Sequence, residues 1–532
     1  MTSYADVVAA TLARAGIEYI FGVPGSLSSV ELIEAAAKQD IRYVLCSNES
    51  SAAVMAGVYG VMKHRPGVVS TGVGPGAAAG VHGAAQLMLE RAPALILTDR
   101  FGESDYRRLP RQRIDQPALY GPVTKGSFTL SALDTARTLE RAIDLAMTGR
   151  QGPVHVDLPY DLMLAEASDA DLPVHGETRR FVAPAGDGNE GLAALAAAIE
   201  GATRPAVIVG LQVNRAGEAA EAEFVRFAEK LGAPVLATLA AKGTLPEDHP
   251  LAAGSFRGVP SERALLEQAD LLLLVGVDPI EIFNSSWAYD APVAILDEVP
   301  YTEGPYRPAL EVVAALEGSL RSLSTAVTPH SGWNREDVEA YNQQRETALH
   351  PTGAGLLPAA VIRIARHRLP DAGILTVDAG QHKVLTCDLW ETRRVRGFHT
   401  SSGLGSMAVS IPAALGAKMV EPQTPVVCLV GDGGFLMRIG DLETAVRENL
   451  PIVIVVFNDR WLNMIKLQQD RRGNQRLGTA FAESDFATVA RGLGFESVRV
   501  DSEAGLDDAM QQALASGRPW LIDALVNPEG YI

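Results

Sequence analysis

VVCLVGDGG, residues 426–434, carries the strongest architectural signal in the chain. Five apolar residues of strand length run directly into the GDGG tetrapeptide, and the pattern at 441–448 predicts a helix. Glycine lets backbone N–H groups approach a phosphate closely, and Asp432 offers a hard oxygen that suits Mg²⁺. On its own the tetrapeptide is also compatible with an ordinary turn, so its meaning depends on what stands beside it.

A second apolar run, IVIVVF at 452–457, ends in Asn458-Asp459. The carboxyl ends of neighbouring parallel strands meet at one edge of a sheet, so these oxygen donors are expected beside Asp432. Together they can hold one Mg²⁺ against a diphosphate. Neither turn contains the G-x-G-x-x-G of dinucleotide-binding folds or the Gly-Lys-Ser/Thr of a Walker loop, which excludes those two readings here.

Strand-length apolar runs recur along the chain between stretches of helical period. This alternation predicts parallel sheets covered by helices on both faces. The segments at about 165–190 and 325–356 lose this periodicity and gain Pro, Gly and charge, so we interpret them as linkers. We therefore predict an α/β protein of three doubly wound parallel-sheet domains. Their predicted bounds are residues 1–165, 186–326 and 355–532.

The composition is that of an ordinary globular protein of 532 residues, with 47% apolar and 21% charged residues. The net charge of −18 argues against a nucleic-acid or anionic-membrane partner. Cys46, Cys387 and Cys428 are too few for a disulfide framework, and they favour a reducing cytoplasm. Charged residues interrupt residues 1–20, so no signal peptide is expected, and no apolar run approaches the length of a bilayer span.

The two strand-end motifs resemble those of the thiamine-diphosphate enzymes of the 2-oxo acid decarboxylase and acetolactate synthase group. That family has Gly-Asp-Gly after one strand and an Asn pair after the next. The resemblance implies that Mg²⁺ is held by Asp432, the side chain of Asp459 and the main-chain carbonyl of Trp461. The residues that would contact the cofactor at the turn are Gly431, Asp432, Gly433, Gly434 and Asp459. Asp459 replaces the usual second Asn, so either Mg²⁺ is held more tightly or Asn458 is drawn in instead.

The resemblance continues through DAGQH at 378–382 and through residues 401–416. It places Gln381 and His382 at the diphosphate end. Met407 would be the bulky residue that bends the cofactor from below, with filling of the core as the alternative. Gly405 would supply the carbonyl that accepts from the cofactor's 4′-amino group.

An activating carboxylate is predicted in the first block, where NESSAAVMAG at 48–57 carries Glu49 into a small-residue helix. The resemblance implies that Glu49 hydrogen-bonds the cofactor's N1′ nitrogen and so helps to remove the C2 proton. The alternative is a helix-start glutamate favoured by the helix dipole. Pro24, Gly25 and Gly74 fall at family spacing and are assigned to the cofactor. The family takes the two cofactor ends from different subunits, so we expect a homodimer or homotetramer.

Other residues bear on the fate of the substrate. Residues 101–120 lack the paired histidines of simple decarboxylases, whereas Gln112, assigned as catalytic, and Thr124-Lys125 match acetolactate synthases. We predict a carboligase or lyase acting on a small 2-oxo acid, with a carbonyl compound as acceptor. Gln468, where biosynthetic acetolactate synthases have Trp, and the chain end at Ile532 argue for a different acceptor pocket. Leu462, Met464 and Ile465 either shape that pocket or form a helix face packed on the core.

Three alternatives stay open. They are a simple decarboxylase that releases an aldehyde, a flavin-dependent 2-oxo acid oxidase, and a cofactor-binding homologue without activity. The central block has a glycine after a strand in 207–217 and in 271–284, which is a weak signal, so FAD is the less favoured choice there. His82 and His399 are candidate proton donors to which the sequence assigns no role.

Overall fold

The structure is a computed structural model, and it describes residues 2–168, 171–172, 189–283, 286–329, 332–349 and 353–531. Three six-stranded sheets with interleaved helices occupy these ranges, and every pairing between their strands is parallel. The prediction of an α/β protein with three doubly wound parallel sheets is confirmed. Within the described ranges, none of the helices combines the length and hydropathy that crossing a bilayer would need.

The first sheet lies between residues 19 and 159. Its strands are β1 Tyr19–Val23, β2 Arg42–Leu45, β3 Gly67–Thr71, β4 Ala94–Arg100, β5 Ser127–Thr129 and β6 Pro153–Pro159. Its helices are α1 Tyr4–Arg14, α2 Ser28–Ala37, α3 Glu49–Lys63, α4 Pro75–Leu89, α5 Glu103–Arg108, α6 Gln116–Tyr120, α7 Thr135–Met147 and α8 Tyr160–Leu164. The strand order is β2-β1-β3-β4-β6-β5, so β3 and β4 lie at the centre, and α3 and α4 follow β2 and β3.

The second sheet lies between residues 205 and 313. Its strands are β7 Pro205–Val209, β8 Val235–Ala237, β9 Ala252–Ser255, β10 Leu271–Val275, β11 Val293–Asp297 and β12 Leu310–Val313. Its helices are α9 Asn189–Gly201, α10 Leu211–Ala216, α11 Glu218–Leu231, α12 Arg263–Leu266, α13 Leu316–Ala326 and α14 Arg335–Ala348. The order is β12-β11-β10-β7-β8-β9. Both central strands are buried along their whole length, as expected for strands covered on both faces.

The third sheet lies between residues 374 and 525. Its strands are β13 Ile374–Val377, β14 Phe398–Thr400, β15 Val426–Gly431, β16 Val453–Asn458, β17 Glu496–Val500 and β18 Trp520–Leu525. The helices are α15 Pro358–Arg368, α16 Gln381–Leu389, α17 Ser410–Val420, α18 Asp432–Leu436, α19 Asp441–Arg447, α20 Asn463–Arg471, α21 Phe486–Gly492 and α22 Glu503–Ser516. The order is β14-β13-β15-β16-β18-β17. β15 and β16 are neighbours in register Gly431↔Phe457, so their carboxyl ends share one edge.

By internal contacts the chain divides into two compact units. The first comprises residues 1–182 together with 412–422 and 438–450. The second comprises residues 183–411, 423–437 and 451–532. The segments after β14 and after the GDGG turn therefore contribute residues to the first unit.

The structure bears on only one of the two predicted linkers. The first, about 165–190, falls mainly on residues 169–170 and 173–188, which lie outside the described ranges. The second, about 325–356, contains α14 and so differs from the expected linker. Asn334 caps this helix by accepting the N–H of Asp337 at 2.9 Å, and Val338 and Tyr341 are buried. Only two described residues of this charged helix are buried, which is too sparse a pattern to reveal its periodicity.

Candidate active site

The GDGG turn is tied to the end of the neighbouring strand by Asp432. This buried side chain accepts the N–H of Gly433 at 2.7 Å through Oδ1 and the N–H of Arg460 at 2.6 Å through Oδ2. One carboxylate therefore holds the turns that follow β15 and β16 together. Burial first, and the nearby charge of Asp459 second, raise the pKa of Asp432 to about 7.

Asp459 points to the same edge, whereas its neighbour Asn458 does not. Asp459 accepts the N–H of Trp461 at 2.8 Å and the side-chain amide of Asn463 at 3.0 Å. The amide of Asn458 instead donates to the fully buried Asp523 at 2.8 Å. Asn458 is thus committed to the core, and of the two candidates for the second side-chain oxygen the geometry favours Asp459.

The donor set at this edge fits a hard divalent cation. Two carboxylates, Asp432 and Asp459, interact with one another, and no side-chain nitrogen of a Lys, Arg or His in the described chain lies within 4.0 Å of either. Among the described residues no group of three His, Cys, Asp or Glu side chains could hold a metal. The remaining ligands would therefore be main-chain and phosphate oxygens, which Mg²⁺ accepts readily.

A side chain at Gly434 would collide with its surroundings, and one at Gly433 would crowd them. A Cβ on Gly434 would lie 2.1 Å from the carboxylate of Asp378, and one on Gly433 would lie 3.1 Å from the Met407 methyl group. Asp378 accepts the N–H groups of Ala408 at 2.8 Å, Val409 at 2.8 Å and Ser410 at 3.2 Å. This buried carboxylate, which sequence reasoning missed, fixes the chain directly after Met407 and so presses Met407 against the turn.

A cavity of about 440 Å³ opens at this edge, within the size range of small-molecule sites. The predicted residues that line it are Gln381, His382, Gly405, Met407, Gly431, Asp432, Gly433, Gly434, Asp459 and Trp461. Leu462, Met464 and Ile465 line it too, and Met464 and Ile465 remain 37% and 45% exposed. That exposure matches the pocket alternative for this helix and not the packed-face alternative. Gln468 is exposed and does not line the cavity.

His382 lines the cavity at the predicted diphosphate end. Its ring stacks on Phe457 with centroids 5.1 Å apart, and its buried Nε2 has no partner among the described residues. Burial lowers the pKa of His382 to about 3, so the ring is neutral at physiological pH. The ring's one N–H donates to the main chain of Asp378, so Nε2 of the neutral ring is an acceptor. We expect the main-chain N–H groups of the glycine turn to recognise a diphosphate, with this ring lining the cavity beside them.

Glu49 is the first residue of α3, after Asn48, which caps the helix by accepting the N–H of Ser50 at 2.8 Å. Glu49 is half-buried, burial raises its pKa, and no described cation pairs with it. Its Oε1 lies 3.2 Å from the position that a Cβ on Gly76 would take, so the glycine keeps space open for the carboxylate. An unpaired, partly desolvated carboxyl group is suited to proton transfer.

Gly74 and Gln112 are in contact at the start of α4, the helix that faces Glu49 through Gly76. Gly74 precedes α4 with φ +64°, and a Cβ there would lie 2.5 Å from the carbonyl oxygen of Gln112. Gln112 itself adopts φ +61°, and its side chain is exposed. The first unit thus brings Glu49, Gly74 and Gln112 into one neighbourhood, while their assigned roles stay predictions.

The loop with Pro24 and Gly25 is held by Asp99, a second residue that sequence reasoning missed. A Cβ on Gly25 would lie 2.2 Å from an Asp99 oxygen, and Pro24 is exposed. Asp99 accepts the hydroxyl of Ser29 at 2.7 Å and the N–H of Leu27 at 3.3 Å. An acidic residue at the end of the apolar run 94–98 was the available signal.

Buried Asp99 predicts a pH-dependent stability. Burial raises its pKa from 3.8 to about 6, so between these values the folded protein binds more protons than the unfolded chain. Its contribution to stability is therefore full below pH 4 and lost as pH rises through 6. We expect the melting temperature of Asp99→Asn to change less between pH 5 and 7.5 than that of the wild type. Asp105→Asn, on exposed α5, is the control. An equal pH dependence of the melting temperature in the wild type and in Asp99→Asn would contradict the raised pKa of Asp99.

Other residues singled out from the sequence have structural surroundings. Thr124 donates its hydroxyl to the carbonyl of Tyr120 at 2.9 Å, and Lys125 donates to that of Thr148 at 2.6 Å. His82 is exposed on α4, and desolvation together with Arg438 lowers its pKa. Burial lowers the pKa of His399 to about 4.

Comparison with known proteins identifies three domains along the chain. Residues 2–119 match the N-terminal TPP binding domain of thiamine pyrophosphate enzymes, 192–323 the central domain, and 378–524 the C-terminal TPP binding domain. A probable acetolactate synthase large subunit of Methanocaldococcus jannaschii is 28% identical over 98% of this chain and 92% of its own length. Acetolactate synthase of Bacillus subtilis is 28% identical over 98% of this chain and 93% of its own length. The acetolactate synthase large subunit of Lactococcus lactis is 28% identical over 100% of this chain and 94% of its own length. The chain therefore belongs to the thiamine-diphosphate-dependent enzymes, in the acetolactate synthase-like family.

Proposed function

We propose that the protein is an Mg²⁺- and thiamine-diphosphate-dependent carboligase that acts on a small 2-oxo acid. The observation that carries this proposal is the cavity where two unneutralised carboxylates, a glycine turn and Met407 converge. When bound, the cofactor supplies a nucleophilic carbon and takes up the electron pair of the departing carboxylate.

The roles of the protein's residues follow from their positions. Asp432, Asp459 and the carbonyl of Trp461 would hold Mg²⁺, and the glycine turn, with His382 beside it, would bind the diphosphate. Met407 would support the cofactor from below. Glu49 would exchange a proton with the cofactor's pyrimidine ring, since it is a carboxylate without a cation partner among the described residues.

The assembly and location belong to the same proposal. The family resemblance implies that the pyrimidine and diphosphate ends come from different subunits, so we propose a homodimer or homotetramer as the active form. The names of the relatives support acetolactate synthase-like chemistry with a carbonyl acceptor. Cys46, Cys387 and Cys428 are buried free thiols, which supports a reducing cytoplasmic location.

FAD is not part of the proposal because the turn after β7 is already satisfied by the protein. The N–H of Leu211 donates at 3.0 Å to Glu281, which also accepts from the N–H of Asp278 at 3.1 Å and the hydroxyl of Thr238 at 2.5 Å. A Cβ on Gly210 would lie 2.3 Å from Val277, so this glycine serves chain packing. These residues do not fit a dinucleotide phosphate. A colourless, active protein would eliminate the flavin-dependent oxidase.

Product analysis tests the carboligase proposal. We expect a panel of 2-oxo acids to yield carbon dioxide together with a product containing a new C–C bond, and we expect added acceptors to change that product. The reason is that residues 101–120 offer no histidine to protonate the decarboxylated substrate. Mass spectrometry and carbon dioxide release are the measurements. Equal amounts of carbon dioxide and free aldehyde, whatever the acceptor, would establish a simple decarboxylase instead.

A further inference from the structure

One wall of the cavity is cationic and is not used by the proposed cofactor contacts. Arg257, Phe283 and Lys383 line the same cavity as Met407 and Asp432. The N–H of Phe283 donates to the carbonyl of Arg257 at 3.1 Å, and the Lys383 ammonium lies 5.6 Å from the centre of the Phe283 ring. We call these three residues the cationic wall.

The two cations of the wall differ in how they are compensated. Arg257 is 6% exposed and donates through Nη2 to Asp388 at 2.6 Å, while its buried Nε has no partner among the described residues. Lys383 is half-buried and donates to the carbonyl of Ser401. Within the described chain it forms no ion pair with a carboxylate at 4.0 Å or less. The Lys383 ammonium therefore has no direct carboxylate partner among the described residues, although the buried Asp378 interacts with it at longer range. It can pair with an anion that enters the cavity.

The chemistry decides which anion fits. A carboxylate that leaves as carbon dioxide loses its charge in the transition state, so a cation bound to it would stabilise the ground state more and slow the reaction. A carboxylate that the reaction retains keeps its charge throughout, and binding it costs no rate. The diphosphate already has the glycine turn, His382 and the metal site for its recognition.

We propose that Lys383, backed by Arg257, binds the carboxylate that the substrate retains. This rests on the proposed function. In carboligation the donor C–C bond breaks, carbon dioxide leaves, and the electron pair forms the new bond to the acceptor's carbonyl carbon. The acceptor oxygen takes up one proton, and an acceptor that is itself a 2-oxo acid keeps its carboxylate. The same chemistry is offered by the distal carboxylate of a dicarboxylic donor.

The test uses Lys383→Gln in the holoenzyme, with Lys383→Arg as the charge-retaining variant and Lys230→Gln on α11 as the remote control. If the acceptor is the source, kcat/KM for a 2-oxobutanoate acceptor falls roughly 10- to 100-fold, as for loss of a charged hydrogen bond, while that for a benzaldehyde acceptor does not. If the retained carboxylate belongs to the donor, kcat/KM falls to the same extent with 2-oxoglutarate as the donor and does not fall with 2-oxobutanoate as the donor. Lys383→Arg should restore most of either loss.

Two results would overturn the proposal. One is that Lys383→Gln keeps the wild-type kcat/KM values in both the acceptor and the donor comparison. The other is a fall in carbon dioxide release from every donor, or a weaker thiamine-diphosphate affinity by calorimetry, because either would place Lys383 at the departing carboxylate or at the diphosphate. Failure of the carboligase proposal is distinguishable, since wild-type enzyme would then form no C–C product while the 2-oxoglutarate arm still reports on Lys383.

Discussion

Replacing Glu49 with Gln is expected to lower kcat by about 10²- to 10⁴-fold, the range for loss of a general acid–base group. Gln preserves the size of the side chain but cannot exchange a proton at the cofactor's pyrimidine. The start of α3 should persist, because Asn48 caps it independently of Glu49. Steady-state kinetics give kcat, and the rate of exchange of the cofactor's C2 proton, followed by NMR, isolates the activation step.

The matched control for this prediction is Glu34→Gln, an exposed carboxylate on α2 that should leave kcat unchanged. Cofactor affinity should also be largely retained in Glu49→Gln. Wild-type turnover or wild-type C2 exchange in that variant would remove Glu49 from the site. Normal cofactor binding without any C2 exchange in the wild-type protein would instead identify a homologue without activity.

Replacing Asp432 with Asn should weaken Mg²⁺-dependent binding of thiamine diphosphate by at least about 100-fold. A direct ligand should cost more than the 10- to 100-fold typical of groups that only orient ligands. Asn can still accept one of the two N–H groups that Asp432 now accepts, so the turns should survive. Calorimetric titration of the cofactor at several Mg²⁺ concentrations measures the loss.

Asp459→Asn is the informative comparison, since it restores the residue type usual in the family. It removes a charge that raises the pKa of Asp432 and keeps an oxygen at the same place. We expect cofactor binding to persist in this variant. Wild-type affinity in Asp432→Asn would show that the carboxylates at this edge do not hold the metal.

The parts that sequence reasoning predicted are those governed by local rules. Gly431-Asp432-Gly433 and Asp459 follow consecutive apolar strands, and adjacency of such strands in a parallel sheet brings their ends together, as β15 and β16 do. The orientation of Asn458 was not predictable, because it depends on Asp523, which comes from another strand.

Contacts across long sequence separations account for the rest. Asp378 meets the segment at 408–410 some thirty positions later, and nothing in its neighbourhood marks it as an anchor. The cationic wall combines Arg257 and Phe283, which follow β9 and β10, with Lys383 on α16, and isolated Arg, Phe and Lys residues give no signal of it in the sequence. α14 was missed because its few apolar positions are separated by charged ones.

The first unit has a bearing on how the protein is made. Ser47 and Ser51, on either side of Glu49, donate to buried Asp441, which the ribosome adds 394 residues after Ser47. Biosynthesis therefore leaves the surroundings of Glu49 incomplete until nearly the whole polypeptide has emerged. A fragment that ends before residue 412 would leave the hydroxyls of Ser47 and Ser51 without Asp441 and would expose part of the apolar surface of α3. Chaperone demand should accordingly fall late in translation, when residues 412–422 and 438–450 have joined the first unit.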